Sequence, residues 1–431
     1  MDKSFADKMV VAVDMGSSHI TMMLGRLSGE DGKLEILGAE RELCRGLAKK
    51  GIMDNPTEVA SKLNMMIKQL KNRTNIAELP QSIYISLGGH GLRMISAEAE
   101  RGLEPQNHVS QSILREMEKE CRDKIEKTYV EYSVAEVIWD TFVLDGKREV
   151  ADPLDERAKH ILGKYEVYCG PAEMRYNWIK CMEAQNQLSI ASCYASTETL
   201  RAALISTDEE QEGCAIISFG AETTTYCAYN RGKLLDMCVV PLGSHNLTKD
   251  IAFKAISIKD AEALKKRFAS LVMPEQVNAI RVKSAINPEE SMFFYTNVLC
   301  NIVSSREKEI LAPIVQHINR YDHILKGKTL YITGGGAHQK GLIPFLQDMV
   351  PMDVKMGTIE QHLTENTPSE FAAPEYAQIV GTLLLAGLDA GSSAEIPSAP
   401  KENTKGKNKK DKSFLQRVIT LFDDPNESKL E

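Results

Sequence analysis

No two cysteines in this chain are spaced C-x-x-C, and the nine that exist are scattered and odd in number. That excludes a disulfide framework and fits reduced thiols in a cytosolic protein. The nine histidines form no H-x-x-x-H or comparable pair, so a structural metal site is not expected. Basic charge is in deficit, with 52 Lys and Arg against 60 Asp and Glu and a net charge of -8. Bulk binding of nucleic acid wants the opposite balance and is excluded. Long hydrophobic runs are missing too. The first, Met9 to Val13, stops at Asp14, so no secretory leader is expected. Ile379 to Leu388 is half a bilayer span and contains Gly and Thr, which excludes a transmembrane helix. Hydrophobic residues still make up 43% and charged residues 26%, as in ordinary soluble globular proteins. At 431 residues the chain is too long for one core, so two to four subdomains are expected.

The opening reads as strands at Met9–Val13, Ile20–Leu24 and Leu34–Leu37. Asn55-Pro56-Thr57-Glu58 then supplies a cap, a first-turn Pro and a Glu, and Val59, Leu63, Met66, Ile67 and Leu70 share one helical face. Ser82–Leu87 reads as a strand ending in Gly88-Gly89, after which residues 101 to 165 turn charged, as in an inserted module. Further helices are expected at Gln111–Lys127, Ala172–Gln185, Glu198–Ser206, Asp260–Phe268 and Ser291–Ile318. Strands are expected around Val130–Val143 and at Glu166–Cys169, Cys214–Ser218, Thr224–Tyr229 and Leu330–Thr333. Gly391 to Asp411 has almost nothing to bury and reads as a flexible linker. Trp139 and Trp178 read as packing residues, and Cys214, Cys227 and Cys238 as buried inert thiols.

One segment repeats. Val11 to Thr21 aligns without gaps on Ala215 to Thr225, about 200 residues later. Each copy is a strand, a Gly turn rich in small or hydroxyl residues, and a second strand. Such a turn lets backbone N–H groups approach an anion. Gly16, Ser17 and Ser18 stand in the first turn; Gly220, Ala221, Thr223 and Thr224 stand in the second. Asp14, at a strand end, suits a hydrated Mg²⁺ held through water. A lone D-x-G-S-S is also the pattern of an ordinary hairpin, and the second turn is also readable as scaffold. A third element is Leu330 to Ala337, an apolar strand feeding Gly334-Gly335-Gly336, where flat, close approach of a planar base is possible. By itself it is also readable as a plain strand-to-helix turn.

Two phosphate-type hairpins and a late T-G-G-G loop resemble the actin/Hsp70/sugar-kinase ATPase superfamily. Within it, nearly the whole chain resembles the FtsA family of bacterial cell-division proteins. Asp14, Gly16, Ser17 and Ser18 match its G-x-D-x-G-[ST]-[ST] pattern, and Val240 to Ala252 is similar to its I-P-x-x-G-x-x-x-T-x-D-I-A segment. Asp260 to Lys265 looks like its D-A-E-x-[IL]-K helix, in which Glu262 and Lys265 would face ribose and base. Thr333 to Ala337 matches T-G-G-[GA]-A, and Ala377 to Gly381 resembles the A-x-x-x-G before the final core helix.

The resemblance implies an α/β, actin-like two-lobed ATPase fold with an inserted small α/β subdomain and a C-terminal amphipathic helix on a flexible linker. The implied first core subdomain is 1–81 with 168–207 and 370–390, carrying an insertion at 82–167. The second core subdomain is 208–252 with 313–369, and a small helical lobe is 253–312. A linker at 391–412 and a membrane-targeting helix at 413–422 follow. It implies ATP and Mg as cofactors. It implies self-assembly, an FtsZ-type tubulin-like polymer as partner, later division proteins, and a peripheral place on the cytoplasmic face of the inner membrane at the division site.

Two positions depart from the superfamily. The second hairpin usually begins with Asp, and here Ser218 stands there, without the charge that helps hold Mg²⁺ and its water. The water-positioning Glu or Gln aligns with Ser192, followed by Cys193, and nearby Glu198 reads as a helix-surface residue. No residue is assigned a catalytic role, and at most weak ATPase activity is expected. The same departures argue against a small-molecule kinase on this core, which needs a carboxylate base. A pilus-assembly actin-like platform is the other alternative, and it typically lacks the tail.

In that tail Phe414, Leu415, Val418, Ile419, Leu421 and Phe422 fall on one side of a helix, flanked by Lys412 and Arg417. Lys401, Lys405, Lys407, Lys409 and Lys410 lie upstream. A short apolar face with basic neighbours on a tether suits an anionic membrane interface. The alternative is a helix that docks on its own core or on a partner.

Overall fold

The computed structural model describes residues 9–392, except 28–31, 45, 105–107, 186, 288 and 290. The expected membrane helix at 413–422, with all seven residues assigned to it, lies outside the described residues, as does the linker from 393 onward. The final helix, Ala377–Ser392, runs two residues into the span expected to be linker.

Two five-stranded sheets carry the fold. The first orders its strands Ser189–Ala195, Ser82–Leu87, Met9–Met15, His19–Leu27 and Leu34–Leu43. The second orders Lys233–Val240, Thr224–Asn230, Cys214–Phe219, Thr329–Thr333 and Asp353–Met356. In each, a repeat copy forms a central antiparallel hairpin flanked by a parallel strand. A third sheet, Arg93–Gly102, His160–Pro171, Tyr132–Leu144 and Arg148–Val150, is covered by the helix Gln111–Thr128. Trp178 is buried, but Trp139 on this third sheet is 57% exposed, contrary to its reading as a packing residue.

Alternating burial explains how the sheets stack. Val11, Val13, Met22 and Leu24 point to one face of the first sheet, where Val59, Leu63, Met66 and Leu70 of the helix Pro56–Thr74 meet them. That helix begins where the sequence signals it, with Glu58 N–H donating to Asn55 Oδ1 at 3.2 Å. Val10, Ala12 and Met23 point the other way, into a layer shared with Ile216, Cys227 and Tyr229 of the second sheet. Leu200, Leu204, Ile379, Val380 and Leu383 fill the same layer. One apolar core therefore joins both sheets below their hairpins and leaves the turns at the rim of a cleft. Two helices cross closely there, since a Cβ on Gly381 would lie 1.7 Å from Thr199 O.

Three expected boundaries move. Ser82–Leu87 pairs in parallel with Met9–Met15 inside the first sheet, so the insertion starts after it. Ser291–Tyr295, expected to open a helix, is a strand paired with Ala279–Lys283. Its Met-Phe-Phe-Tyr run is rich in strand-forming aromatics, which outweighed the helical periodicity behind it. The helix starts only at Thr296 and runs to Arg320, across the expected boundary at 312.

Candidate functional site: a cleft between two glycine turns

The two turns have the same internal geometry. Gly16 N–H donates to His19 O at 3.0 Å, and Gly220 N–H donates to Thr223 O at 2.8 Å. The hairpin registers match as well, with Met15 opposite Ile20 and Phe219 opposite Thr224. Both turns line a single cavity of about 660 Å³. Asp14, Gly16, Ser17 and Ser18 line it from the first lobe, and Gly220, Ala221 and Thr223 from the second. Glu262, Lys265, Gly334, Gly335 and Gly336 line it too. Residues far apart in sequence thus share one space.

Thr224 does not join them. It is fully buried, its hydroxyl donates to Leu242 O at 2.9 Å, and it is absent from the cavity lining. The reason is strand alternation: Thr225, one residue on, faces the cavity, so Thr224 faces the core.

Cross-strand pairing sets the chemistry beneath each turn. In the first sheet Asp14 lies opposite Thr21, which lies opposite Arg41. In the second, Ser218 lies between Thr225 and Thr333. All six line the cavity. One floor therefore carries a carboxylate and a guanidinium, the other three hydroxyls. Asp14 Oδ1 accepts from Gln378 Nε2 at 2.7 Å. Burial pushes the Asp14 carboxyl up to about 6, against the opposing pull of the Gln378 bond and the Arg41 charge. Among the described residues no group of three or more His, Cys, Asp or Glu is disposed to hold a metal. A lone carboxylate fits a largely hydrated Mg²⁺ completed by phosphate and water, not an all-protein cage.

The base end is already hydrogen-bonded. Lys265 Nζ donates to Ser244 O at 2.9 Å and Thr248 Oγ1 at 2.8 Å, and pairs with Glu262 Oε2 at 2.8 Å. Its three donors are thereby engaged. Burial pulls the Lys265 pKa below its ordinary value, against the pull of Glu262. Burial pushes Glu262 up, but its bonds from Lys265 and Thr248 outweigh that and leave it below the usual range. Lys265 braces Glu262, and Glu262 keeps its charge at the cavity wall. Gly334 has φ +85°, and its approach to Phe219 leaves no space for a side chain.

Several lining residues carry no motif of their own. Arg41 Nη1 lies 3.5 Å from Glu375 Oε1, and His338 Nε2 lies 2.8 Å from Glu375 Oε2. Burial lowers the pKa of His19, helped by the Arg41 and Lys266 charges. Gln378 sat inside the A-x-x-x-G at Ala377 to Gly381 and His19 inside the repeated segment; Arg41 lies in a strand and His338 and Glu375 in short 3-10 helices, with no local signature. Ser192 stands opposite Tyr84 in the first sheet and does not line the cavity; Ser196 and Leu200 do. Glu198 is not a surface residue. It is 8% exposed, accepts from Tyr168 OH at 2.9 Å and pairs with Arg201 Nε at 2.9 Å. Cys214 and Cys227 are buried, whereas Cys238 is only half-buried.

Two hairpin-bearing sheets joined by a common core, with a cleft between their turns, define an actin-like ATPase fold. The solved PilM-PilN type IV pilus biogenesis complex superposes with a TM-score of 0.61 at 16% identity, over 88% of this chain and 98% of that one. MreB5 of Spiroplasma citri bound to ADP superposes with a TM-score of 0.53 at 10% identity, over 90% and 99%. Within that class the chain is similar to proteins of the FtsA family. The family profile "Cell division protein FtsA" matches residues 215–381. Cell division protein FtsA of Bacillus subtilis (strain 168) is 23% identical over 357 residues, which is 82% of this chain and 79% of that protein.

Proposed function

We propose that this chain is an ATP-binding cell-division protein that tethers FtsZ-type polymers to the cytoplasmic face of the bacterial inner membrane and self-assembles there. The observation that carries the nucleotide reading is the meeting of two matched glycine turns at one cavity. In this reading the phosphates lie between Gly16 and Gly220, where Ser17, Ser18 and Thr223 add donors. Asp14 holds Mg²⁺ through water, the ribose meets Glu262, and the base lies against Gly335. Similarity to the FtsA family supports the division-site role and the later division proteins as partners. Ser218 at the second strand end favours slow turnover, so bound nucleotide controls assembly more than it fuels chemistry.

The tail supplies the membrane contact in this reading. Six apolar side chains contribute at most about 1.5–3 kcal/mol each on full burial. Burial at an interface is partial, and ordering the helix costs about 1–2 kcal/mol per residue. Lysines near anionic lipid add roughly 1 kcal/mol apiece. The net is modest, so stable attachment needs several tails at once, which self-assembly provides through effective concentration. The test is co-sedimentation of a tubulin-like FtsZ partner with anionic liposomes. The full chain is expected to bring the polymer down. A chain lacking Ser413 to Glu431 is expected to bind ATP and the polymer but leave both in the supernatant. Equal pelleting by the truncated chain would move the tail's role to docking on a protein.

A further inference from the structure

A carboxylate sits in the second glycine turn and reaches across the cleft. Glu222 lies two residues after Gly220, and its Oε2 accepts from the backbone N–H of Lys50 at 2.9 Å. Lys50 is at the tip of the short hairpin made by Ala48–Lys49 and Ile52–Met53, and has φ +50°. The next residue, Gly51, donates its N–H to Ser17 Oγ in the first turn at 2.8 Å. Two successive backbone donors at a left-handed tip form a small anion-binding concavity. One of those donors is occupied by the Glu222 carboxylate and the other by Ser17. Lys249 Nζ lies 3.7 Å from Glu222 Oε1. Ser17, Gly51 and Ala221, which flank this closure, line the cavity.

Resting on the nucleotide reading above, we propose that Glu222 is a built-in anion at the terminal-phosphate end of the cleft, and that it sets the preference between di- and triphosphate. With the base against Gly335 and the phosphates running between the turns, the third phosphate arrives at the Lys50 and Gly51 donors. It meets a carboxylate already bonded there, and like charges repel at such range. A diphosphate ends before this point and leaves the Glu222–Lys50 bond in place. A triphosphate binds only by displacing Glu222, which opens the hydrogen bond between the second turn and the Lys50 tip. The same residue therefore biases the cleft toward diphosphate and couples a third phosphate to separation of the lobes.

The test is calorimetric titration of ADP and ATP, with Mg²⁺ at fixed concentration, into the full chain, Glu222→Gln and Glu222→Ala. Thermal melts check that the variants fold. The unmodified protein is expected to bind ADP more tightly than ATP. Glu222→Gln, which keeps an acceptor but removes the charge, is expected to tighten ATP roughly tenfold, the scale of one like-charge contact, with ADP changed by less than about threefold. Glu222→Ala should shift the ratio at least as far. An ATP-to-ADP ratio unchanged in both variants, with both nucleotides still bound, overturns the role of Glu222 and leaves the nucleotide site standing. Binding of neither nucleotide to any of the three proteins overturns the site and this inference together.

Discussion

Asp14 Oδ1 and Gln378 Nε2 are 2.7 Å apart, so the strand that enters the first turn is hydrogen-bonded to the helix that closes the fold. The bond fixes the carboxylate at the cavity floor, although burial holds its pKa near 6. A carboxyl that binds its proton more tightly in the fold than in the unfolded chain makes stability fall as pH rises between the two values. Above about 6 the whole penalty is present, and below the ordinary value of 3.8 none of it is. Asp14→Asn is therefore expected to stabilise the nucleotide-free protein by about 1–3 kcal/mol at pH 8 and by roughly half as much at pH 5. Urea unfolding at the two pH values checks this. An equal gain at both would mean that the carboxylate carries no burial penalty.

Neighbouring glycines of the T-G-G-G loop are expected to behave oppositely. A Cβ on Gly335 meets nothing within 4 Å, whereas one on Gly334 lies 2.6 Å from Phe219 O at a φ of +85°. Gly335→Val should leave stability within about 1 kcal/mol of the parent while weakening ATP binding by bulk. Gly334→Val should lower the melting temperature outright. Undiminished ATP affinity in Gly335→Val would put the base elsewhere.

The helix crossing at Gly381 has no room at all, with Thr199 O 1.7 Å from the position of an added Cβ. Gly381→Ala must push the final helix away from the helix Ser196–Leu204, and is expected to cost about 3 kcal/mol. Denaturant midpoints measure the loss. A neutral substitution would mean that the two helices slide apart freely.

Ser218 stands in the second hairpin where Asp14 stands in the first, and both line the cavity. Ser218→Asp adds the second carboxylate that an attacking water or metal shell needs. Phosphate release is expected to rise roughly tenfold and to vanish in the Asp14→Ala background. Unchanged turnover would show that charge at this position is not what limits hydrolysis.

Much of this fold was legible in local sequence because its signals are short-range. The Asn55 cap, the apolar run from Met9 to Val13 and the repeated glycine turns depend on residues a few positions apart, which backbone geometry couples directly. The repeat did more, since two matched hairpins imply two facing halves. Where two local signals competed, the reading failed. At Ser291–Tyr295 the aromatic run outweighed helical periodicity, and at Glu198 a charged side chain was assigned to the surface although Tyr168 and Arg201 satisfy it in the interior.

Sequence alone determined the turns, the small and hydroxyl residues that fill them and the absence of a second carboxylate at Ser218. Tertiary structure alone decided which side chains share the cleft with them. Arg41 reaches it because strand pairing sets it in line with Thr21 and Asp14, and Thr224 misses it by one step of alternation. Glu222 meets Lys50 only because a core of residues from both lobes holds their rims within hydrogen-bond distance. Such pairs are separated by tens to hundreds of residues. Their contact energy depends on the packed distance between them, which no local pattern encodes.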